Sequence, residues 1–241
     1  MKLAYYPGCV IPTSGKEFDM STKEVFQALD IDLVETKDWS CCGASVVYSL
    51  DNLLALALPA RNLAIAEREG LEMTTPCPVC SYWLWKTQEE VLQNGSIKEK
   101  INQALDGTGL KYRGDIGAKH VLEVIFGDIG VKKIKEKVIK PLAGLKVVPY
   151  YGCYIVRPSR KERFDSPENP TAMDDLIEAV GATTVPWDMK TKCCGGSVMV
   201  SQEDIMLKLT YDLLKKAKSL GADCIITPCQ QCNLSLDAKQ R

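Results

Sequence analysis

The 241 residues carry 30 Lys plus Arg against 31 Asp plus Glu, so no basic excess points to nucleic acid as a partner. A chain of this length buries roughly 70% of the surface its unfolded form exposes and needs no disulfide staples. Its eleven cysteines are an odd number, cannot all pair within one molecule, and turn attention to metal chemistry. The amino end, "MKLAYYPGCV", lacks the apolar core of a signal peptide, and the longest apolar run, within "LLALALPA", is far short of a membrane span. The reading is a cytoplasmic protein in a reducing compartment, without direct membrane insertion.

In chain order, "KLAYY" reads as a short strand ending before Cys9, with Gly8 permitting a tight turn just ahead of the thiol. "TKEVFQALD" has apolar residues at helical spacing, and "IDLVETKDW" is a second strand leading to Cys41-Cys42-Gly43. The helix "DNLLALALPARNLAIAEREG" closes at Gly70, and the strand "LEMTT" runs into Cys77-x-x-Cys80. Residues 94 to about 145 are helical in pattern, broken at "DGTG" and "GDIG". The same succession then recurs. "KVVPYY" reaches Gly152 and Cys153, "TAMDDLIEAVG" is a helix, and "ATTVPWDM" leads to Cys193-Cys194. "SQEDIMLKLTYDLLKKAKSLG" has Ser201 placed to cap, Asp204 three residues on and Gly221 at its close, and "DCIIT" enters Cys229-x-x-Cys232. The expected fold is α/β, two pseudo-symmetric β/α/β (Rossmann-like) halves with the cysteines at the carboxyl ends of strands, where open α/β sheets place their sites. Residues 1–145 are the first half with a helical linker and 146–241 the second.

The cysteine spacing makes the duplication explicit. Cys41, Cys42, Cys77 and Cys80 recur at an offset of 152 as Cys193, Cys194, Cys229 and Cys232, and Cys9 recurs at an offset of 144 as Cys153. The second half thus carries eight extra residues, placed in "VRPSRKERFDSPENP", and only Cys224 stands outside the two sets.

Three chemistries compete for five thiols at one edge. Structural zinc takes four thiolates, usually from two Cys-x-x-Cys knuckles, and would leave a fifth unexplained. A thioredoxin-like dithiol accounts for Cys77 and Cys80 and leaves the others idle. An ordinary iron–sulfur cluster also needs only four, so five implies either a spare or a cluster of unusual geometry. The adjacent pair favours the latter, since two neighbouring thiolates can grip irons from one turn and the following glycine lets the backbone approach inorganic sulfide.

Cys, then Cys-Cys-Gly, then Cys-x-x-Cys, twice in one chain, resembles the cysteine-rich CCG-domain family, and most closely the B-type subunits of heterodisulfide reductase from methanogenic archaea. The likeness runs from Cys9 to Cys232. It implies two noncubane [4Fe-4S] clusters, one held by Cys9, Cys41, Cys42, Cys77 and Cys80, the other by Cys153, Cys193, Cys194, Cys229 and Cys232. It also implies an enzyme that reduces the disulfide of coenzyme M and coenzyme B in methanogenesis, with no catalytic residue beyond these ligands. The other activity open to the family is electron transfer for a lactate, glycolate or succinate type oxidoreductase, toward a flavin or quinone. The family pattern continues with a further strand and helix where this sequence has nine residues after Cys232, which leaves part of the usual substrate or partner surface unaccounted for. No Gly-x-Gly-x-x-Gly, phosphate loop or ferredoxin-type cysteine run is present, so electrons arrive from another protein. By the resemblance the partners are two: a ferredoxin-like iron–sulfur protein, the C-type subunit, together with a flavin protein, the A-type subunit. Because a disulfide takes two electrons, its sulfur–sulfur bond is expected to lie between the two clusters.

Other features read as structure. His120, the only histidine, stands beside an apolar helical run and is left outside the site. The lysines of "VKKIKEKVIKPLAGLK" read as a solvated helix face, Trp83 and Trp85 as core, and Cys224 as a buried apolar residue. Arg157, Arg160, Lys161 and Arg163 are the basic residues nearest a cysteine set in sequence.

Overall fold

The computed structural model describes residues 1–157 and 165–240 and divides into two compact units, Met1–Val121 and Leu122–Arg241. The first unit contains β1 (Lys2–Tyr5), α1 (Lys16–Ala28), β2 (Asp32–Glu35), α2 (Ala44–Tyr48), α3 (Asn52–Glu69), β3 (Met73–Thr75), α4 (Pro78–Gln93), α5 (Gly95–Ala104) and β4 (Ala118–His120). The chain enters the second unit through the short α6 (Val121–Glu123) and a π-helical turn (Val124–Ile129). There follow α7 (Val131–Lys137), β5 (Lys146–Pro149), α8 (Ala172–Ala179), β6 (Thr183–Thr184), a 3₁₀ turn (Gly196–Val198), α9 (Glu203–Ser219), β7 (Cys224–Ile226) and α10 (Gln230–Asp237).

Each unit is built on a parallel sheet with its first strand in the middle. The orders are β2-β1-β3-β4 and β6-β5-β7. Ala4 of β1 pairs with Val34 and with Met73; Val147 of β5 pairs with Thr184 and with Cys224. Central strands buried on both faces read as continuous apolar runs, as "KLAYY" and "KVVPYY" do. Leu3, Ala4 and Tyr5 are buried in one sheet, Val147 and Val148 in the other. In the first unit Tyr6, Leu63, Met73 and Leu84 share a core with Cys42 and Cys80. In the second, Val148, Tyr150, Trp187 and Leu213 share one with Cys194, Cys229 and Cys232. The thiols thus cap the hydrophobic core.

Several local expectations change. The unit boundary falls inside the joining segment, at Val121, ahead of the expected start at residue 146, because α7 packs on α8 and the stretch belongs with the second unit. That joining segment also holds a strand: β4 pairs in parallel with β3, Thr75 opposite His120. His120 is a buried strand residue, and the lysines of α7 face solvent while Ile134 packs inward. Ser201 does not cap α9; Gln202 occupies the N-cap and makes no side-chain cap bond. Asp51 is the effective cap of α3, accepting from the Leu54 backbone N–H at 2.9 Å. Arg160, Lys161 and Arg163 lie outside the described residues.

What fixes β4 is a buried carboxylate. Glu67 of α3 accepts from the backbone N–H groups of Arg113 and Asp115, both at 2.8 Å, and so pins the loop that feeds the strand. Glu67→Ala would strand two amides beneath a helix. It is expected to lower the stability of the protein by about 2 kcal/mol, measured by urea denaturation. An unchanged midpoint would show that the loop is held otherwise.

Candidate functional site

Every cysteine of the two sets lies at or beyond the carboxyl end of a parallel strand. β1 ends at Tyr5 and β5 at Pro149, each four residues before Cys9 or Cys153; β3 and β7 end two and three residues before Cys77 and Cys229. The Cys-x-x-Cys segments then start helices. Cys77 is the N-cap of α4, its Sγ accepting from the Cys80 N–H at 3.4 Å, and Cys229 is the N-cap of α10. The first turn of a helix offers unpaired N–H groups and the positive end of its dipole, which suits thiolates. Pro78 at the first position of α4 was the available sequence signal for that helix.

The Cys-Cys pairs sit on turns closed by left-handed glycines, Gly43 at φ +78° and Gly195 at φ +77°. Backbone N–H groups point back at the sulfurs: Gly195 donates to Cys193 Sγ and Gly196 to Cys194 Sγ, both at 3.3 Å. The turns after the first strands need glycine for space as well as conformation. At Gly8 (φ +76°) an added Cβ would stand 3.3 Å from Cys80 Sγ, and at Gly152 (φ +70°) 3.2 Å from Cys232 Sγ. In each unit the backbone ahead of the first cysteine therefore passes against the second thiol of the Cys-x-x-Cys.

These turns bring the five thiols of each unit together. Cys42 Sγ lies 3.3 Å from Cys80 Sγ, and Cys194 Sγ 3.4 Å from Cys232 Sγ. Hydrogen bonds continue from Cys42 to Cys41 and from Cys80 to Cys77, with Cys9 close enough to act on Cys41. In the second unit they link Cys153 with Cys193 and Cys232 with Cys229, and Cys153 also feels Cys194 and Cys229. All eleven cysteines are free thiols. The sulfurs meet in pairs; among the described residues no three His, Cys, Asp or Glu side chains are grouped about a single ion position.

Pairing splits the thiols into donors and acceptors. Hydrogen bonds from Cys41 and Cys80 hold Cys42 well below the ordinary thiol range, and one from Cys80 lowers Cys77. Cys41 is pushed up by its bond to Cys42, and Cys80 by its bonds to Cys42 and Cys77. Cys153 brings Cys193 down to about 6, and Cys232 brings Cys194 down to about 7. Cys153 and Cys232 rise correspondingly. Solvent reaches only one side of each set: Cys9, Cys41 and Cys193 are exposed, whereas Cys42, Cys80, Cys194, Cys229 and Cys232 are buried.

Residues outside the cysteine pattern support the turns. Asn62 of α3, fully buried, accepts from the Ser40 N–H and donates to the Ser40 carbonyl, both at 2.9 Å, directly ahead of Cys41. Thr210 of α9 donates to the Cys194 carbonyl at 3.3 Å. A buried polar residue on an otherwise apolar helix face was the sequence signal for each. Arg157 donates to the Thr191 carbonyl at 3.5 Å, two residues before Cys193. Trp83 is buried against Tyr48 and Tyr82, as core packing requires. Cys224 differs from its expected burial. It opens β7, the edge strand of its sheet among the described residues, and it is half-exposed, lining a cavity of about 400 Å³ with Asp223, Thr227 and Asn233. Cys229 follows the strand's carboxyl end, so Cys224 lies at the opposite end of the strand from the thiol set.

The family model described as a cysteine-rich domain, CCG, matches residues 3–85 and again 147–237. The chain is 36% identical over 239 residues to the 8-methylmenaquinol:fumarate reductase membrane anchor subunit of Wolinella succinogenes, covering 99% of this chain and 83% of that one. It is 33% identical over 242 residues to the B subunit of the ferredoxin:CoB-CoM heterodisulfide reductase of Methanosarcina mazei, covering 99% and 80%. To a protein of Archaeoglobus profundus described as like the heterodisulfide reductase B subunit it is 31% identical over 245 residues, covering 100% and 82%. Among solved structures, a hypothetical protein from Helicobacter pylori superposes with a TM-score of 0.75 at 16% identity. That match covers 99% of this chain but only 44% of the other, and it speaks for the fold alone. No helix among the described residues is long and apolar enough to cross a membrane. With one complete match in each half and relatives aligned over nearly its whole length, the chain belongs to the cysteine-rich CCG-domain family.

Proposed function

We propose that the chain is the iron–sulfur subunit of a disulfide reductase, acting on the heterodisulfide of coenzyme M and coenzyme B. The observation that carries this reading is the gathering of five thiols at the strand ends of each unit. Zinc saturates with four thiolates, and the pairwise contacts suit a group whose thiolates bind different irons rather than one centre. Cys9, Cys41, Cys42, Cys77 and Cys80 would hold one [4Fe-4S] cluster of the noncubane kind. Cys153, Cys193, Cys194, Cys229 and Cys232 would hold the other. When bound, such clusters supply electrons one at a time.

The chain's own contribution is to bind, orient and screen. The helix N-terminus at Cys77 and the backbone N–H groups of Gly195 and Gly196 favour the thiolate form of Cys77, Cys193 and Cys194. The buried thiols keep solvent from the inner side, and exposed Cys9, Cys41 and Cys193 mark the side from which a disulfide or a redox partner approaches. The partners that fit are a flavin subunit together with a ferredoxin-like one, because the sequence has no nucleotide motif of its own. The likeness to a menaquinol:fumarate reductase subunit favours a second reading, electron transfer between a quinol and the rest of another oxidoreductase.

Anaerobic purification with iron, sulfide and zinc analysis tests the cofactor. About eight iron atoms per chain are expected, four for each cluster. Cys42→Ser or Cys194→Ser should each abolish the electron paramagnetic resonance signal of one cluster and spare the other. Two zinc ions without acid-labile sulfide would sink the proposal. Turnover separates the two readings. The assembled complex should oxidise a reduced viologen dye on addition of the heterodisulfide; response to a menaquinol analogue alone would favour the second. Cys224→Ala should leave iron content and turnover at the parental level, since Cys224 lies at the opposite end of β7 from the thiol set; lost turnover with both clusters retained would bring it into the reaction.

A further inference from the structure

The sequence pattern marks only thiols and glycines, yet in both units a tyrosine lies beneath them. Tyr6 and Tyr150 each stand three residues before the first cysteine of their set, and both are fully buried. The Tyr6 hydroxyl donates to the Ser40 carbonyl at 2.8 Å, and the Tyr150 hydroxyl to the Lys192 carbonyl at 2.7 Å. Ser40 and Lys192 are the residues immediately before the Cys-Cys pairs. The same bond thus joins the same two turns in both units, although the intervening chain differs by eight residues. A tryptophan braces each ring edge-on, Trp39 against Tyr6 at 5.6 Å and Trp187 against Tyr150 at 6.0 Å between centroids.

Both phenols are kept neutral. Burial first, and then the sulfurs of Cys80, Cys42, Cys41 and Cys77, push the Tyr6 hydroxyl far above its ordinary range; burial and Cys232, Cys194, Cys193 and Cys153 do the same to Tyr150. A buried phenol that holds its proton and has committed it to a carbonyl has no part as an acid or base. Its effect on the thiols is through geometry.

We propose that Tyr6 and Tyr150 are positioning residues that lock each Cys-Cys turn against the turn of the first cysteine, setting the thiols for cluster binding before the cluster arrives. This rests on the reading of the thiols as cluster ligands. The two units differ in what else supports the turn. Ser40 is also gripped through its N–H and its carbonyl by Asn62, whereas the position equivalent to Asn62, at the offset of 152, is Leu214, which has no polar atom to offer. The second turn is tied instead by main chain, the Lys190 carbonyl accepting from the Tyr151 and Gly152 N–H groups at 2.8 and 3.1 Å, so in each unit the tyrosine works beside a second support.

The test compares the full chain, purified anaerobically, with Tyr6→Phe, Tyr150→Phe, Tyr6→Phe/Asn62→Leu and the control Tyr151→Phe. Tyr151 is buried in the same segment, but its hydroxyl serves Met173 and Asp174. The readouts are iron release to a chelator, the paramagnetic signal of each cluster and the thermal unfolding midpoint. Tyr150→Phe and Tyr6→Phe should each speed iron loss from one cluster about tenfold and shift its signal, and adding Asn62→Leu to Tyr6→Phe should enlarge the effect on the first cluster. Parental release rates and signals in Tyr150→Phe would overturn the proposal. So would equal acceleration in Tyr151→Phe, which would mark general loosening of the fold. A parent without iron would instead remove the reading of the thiols as ligands, and this proposal with it.

Discussion

Thiols gathered from three separate turns require three strand ends to arrive at one edge, and much else in each unit serves that meeting. A parallel sheet provides it, because all its strands leave by the same side and the crossovers are taken up by helices on the faces. Placing the first strand in the centre puts the turn of Cys9 or Cys153 between the other two. The consequence of such proximity is close backbone approach, and it falls on Gly8 and Gly152, where a single methyl group would press on a neighbouring thiol.

The duplicated halves keep the thiol arrangement while changing its supports. The first sheet has four strands, its last pinned through Glu67; the second has three among the described residues. Helix α3 holds its turn through Asn62 and the Ser40 backbone, whereas α9 reaches its own through Thr210 and the Cys194 carbonyl. The same placement of thiols can thus be held by different side chains, as long as each buried carbonyl finds a donor.

The legible part of this protein was whatever depends on spacing. An offset of 152 shared by four cysteines fixes that two halves repeat, and apolar runs before each set locate the strands. What escaped depends on contacts between segments distant in sequence. Residues 118–120, "AKH", are too short and too polar to be read as a strand; β4 exists because β3 offers it a parallel edge and Glu67 holds its entrance. Ser201 has the chemistry of a cap, yet Gln202 takes the N-cap position, since the turn after Gly195 sets where α9 starts. Tyr6 and Tyr150 look like ordinary strand residues until their hydroxyls are seen to end on the carbonyls ahead of the cysteine pairs. The half-exposure of Cys224 follows from its place on an edge strand, which local sequence does not encode.

The protonation pattern completes the physical argument. Fully ionised, five clustered thiolates would repel one another and suffer a large desolvation penalty; fully protonated, they would offer a metal nothing to bind. The structure lies between these limits, with Cys42, Cys77, Cys193 and Cys194 lowered by hydrogen bonds from thiols that are themselves raised. Protons here bridge sulfurs in the manner that metal ions would, each held between two soft donors. Replacing them with cations would release protons and relieve the repulsion in one step, which would couple binding to pH and to the order of the turns. Where the lowered and raised thiols sit on different segments, as Cys42 and Cys80 or Cys153 and Cys193 do, a cation shared between them would tie those turns together. Such a cross-link would hold at the sheet edge what the strands alone leave to hydrogen bonds between turns.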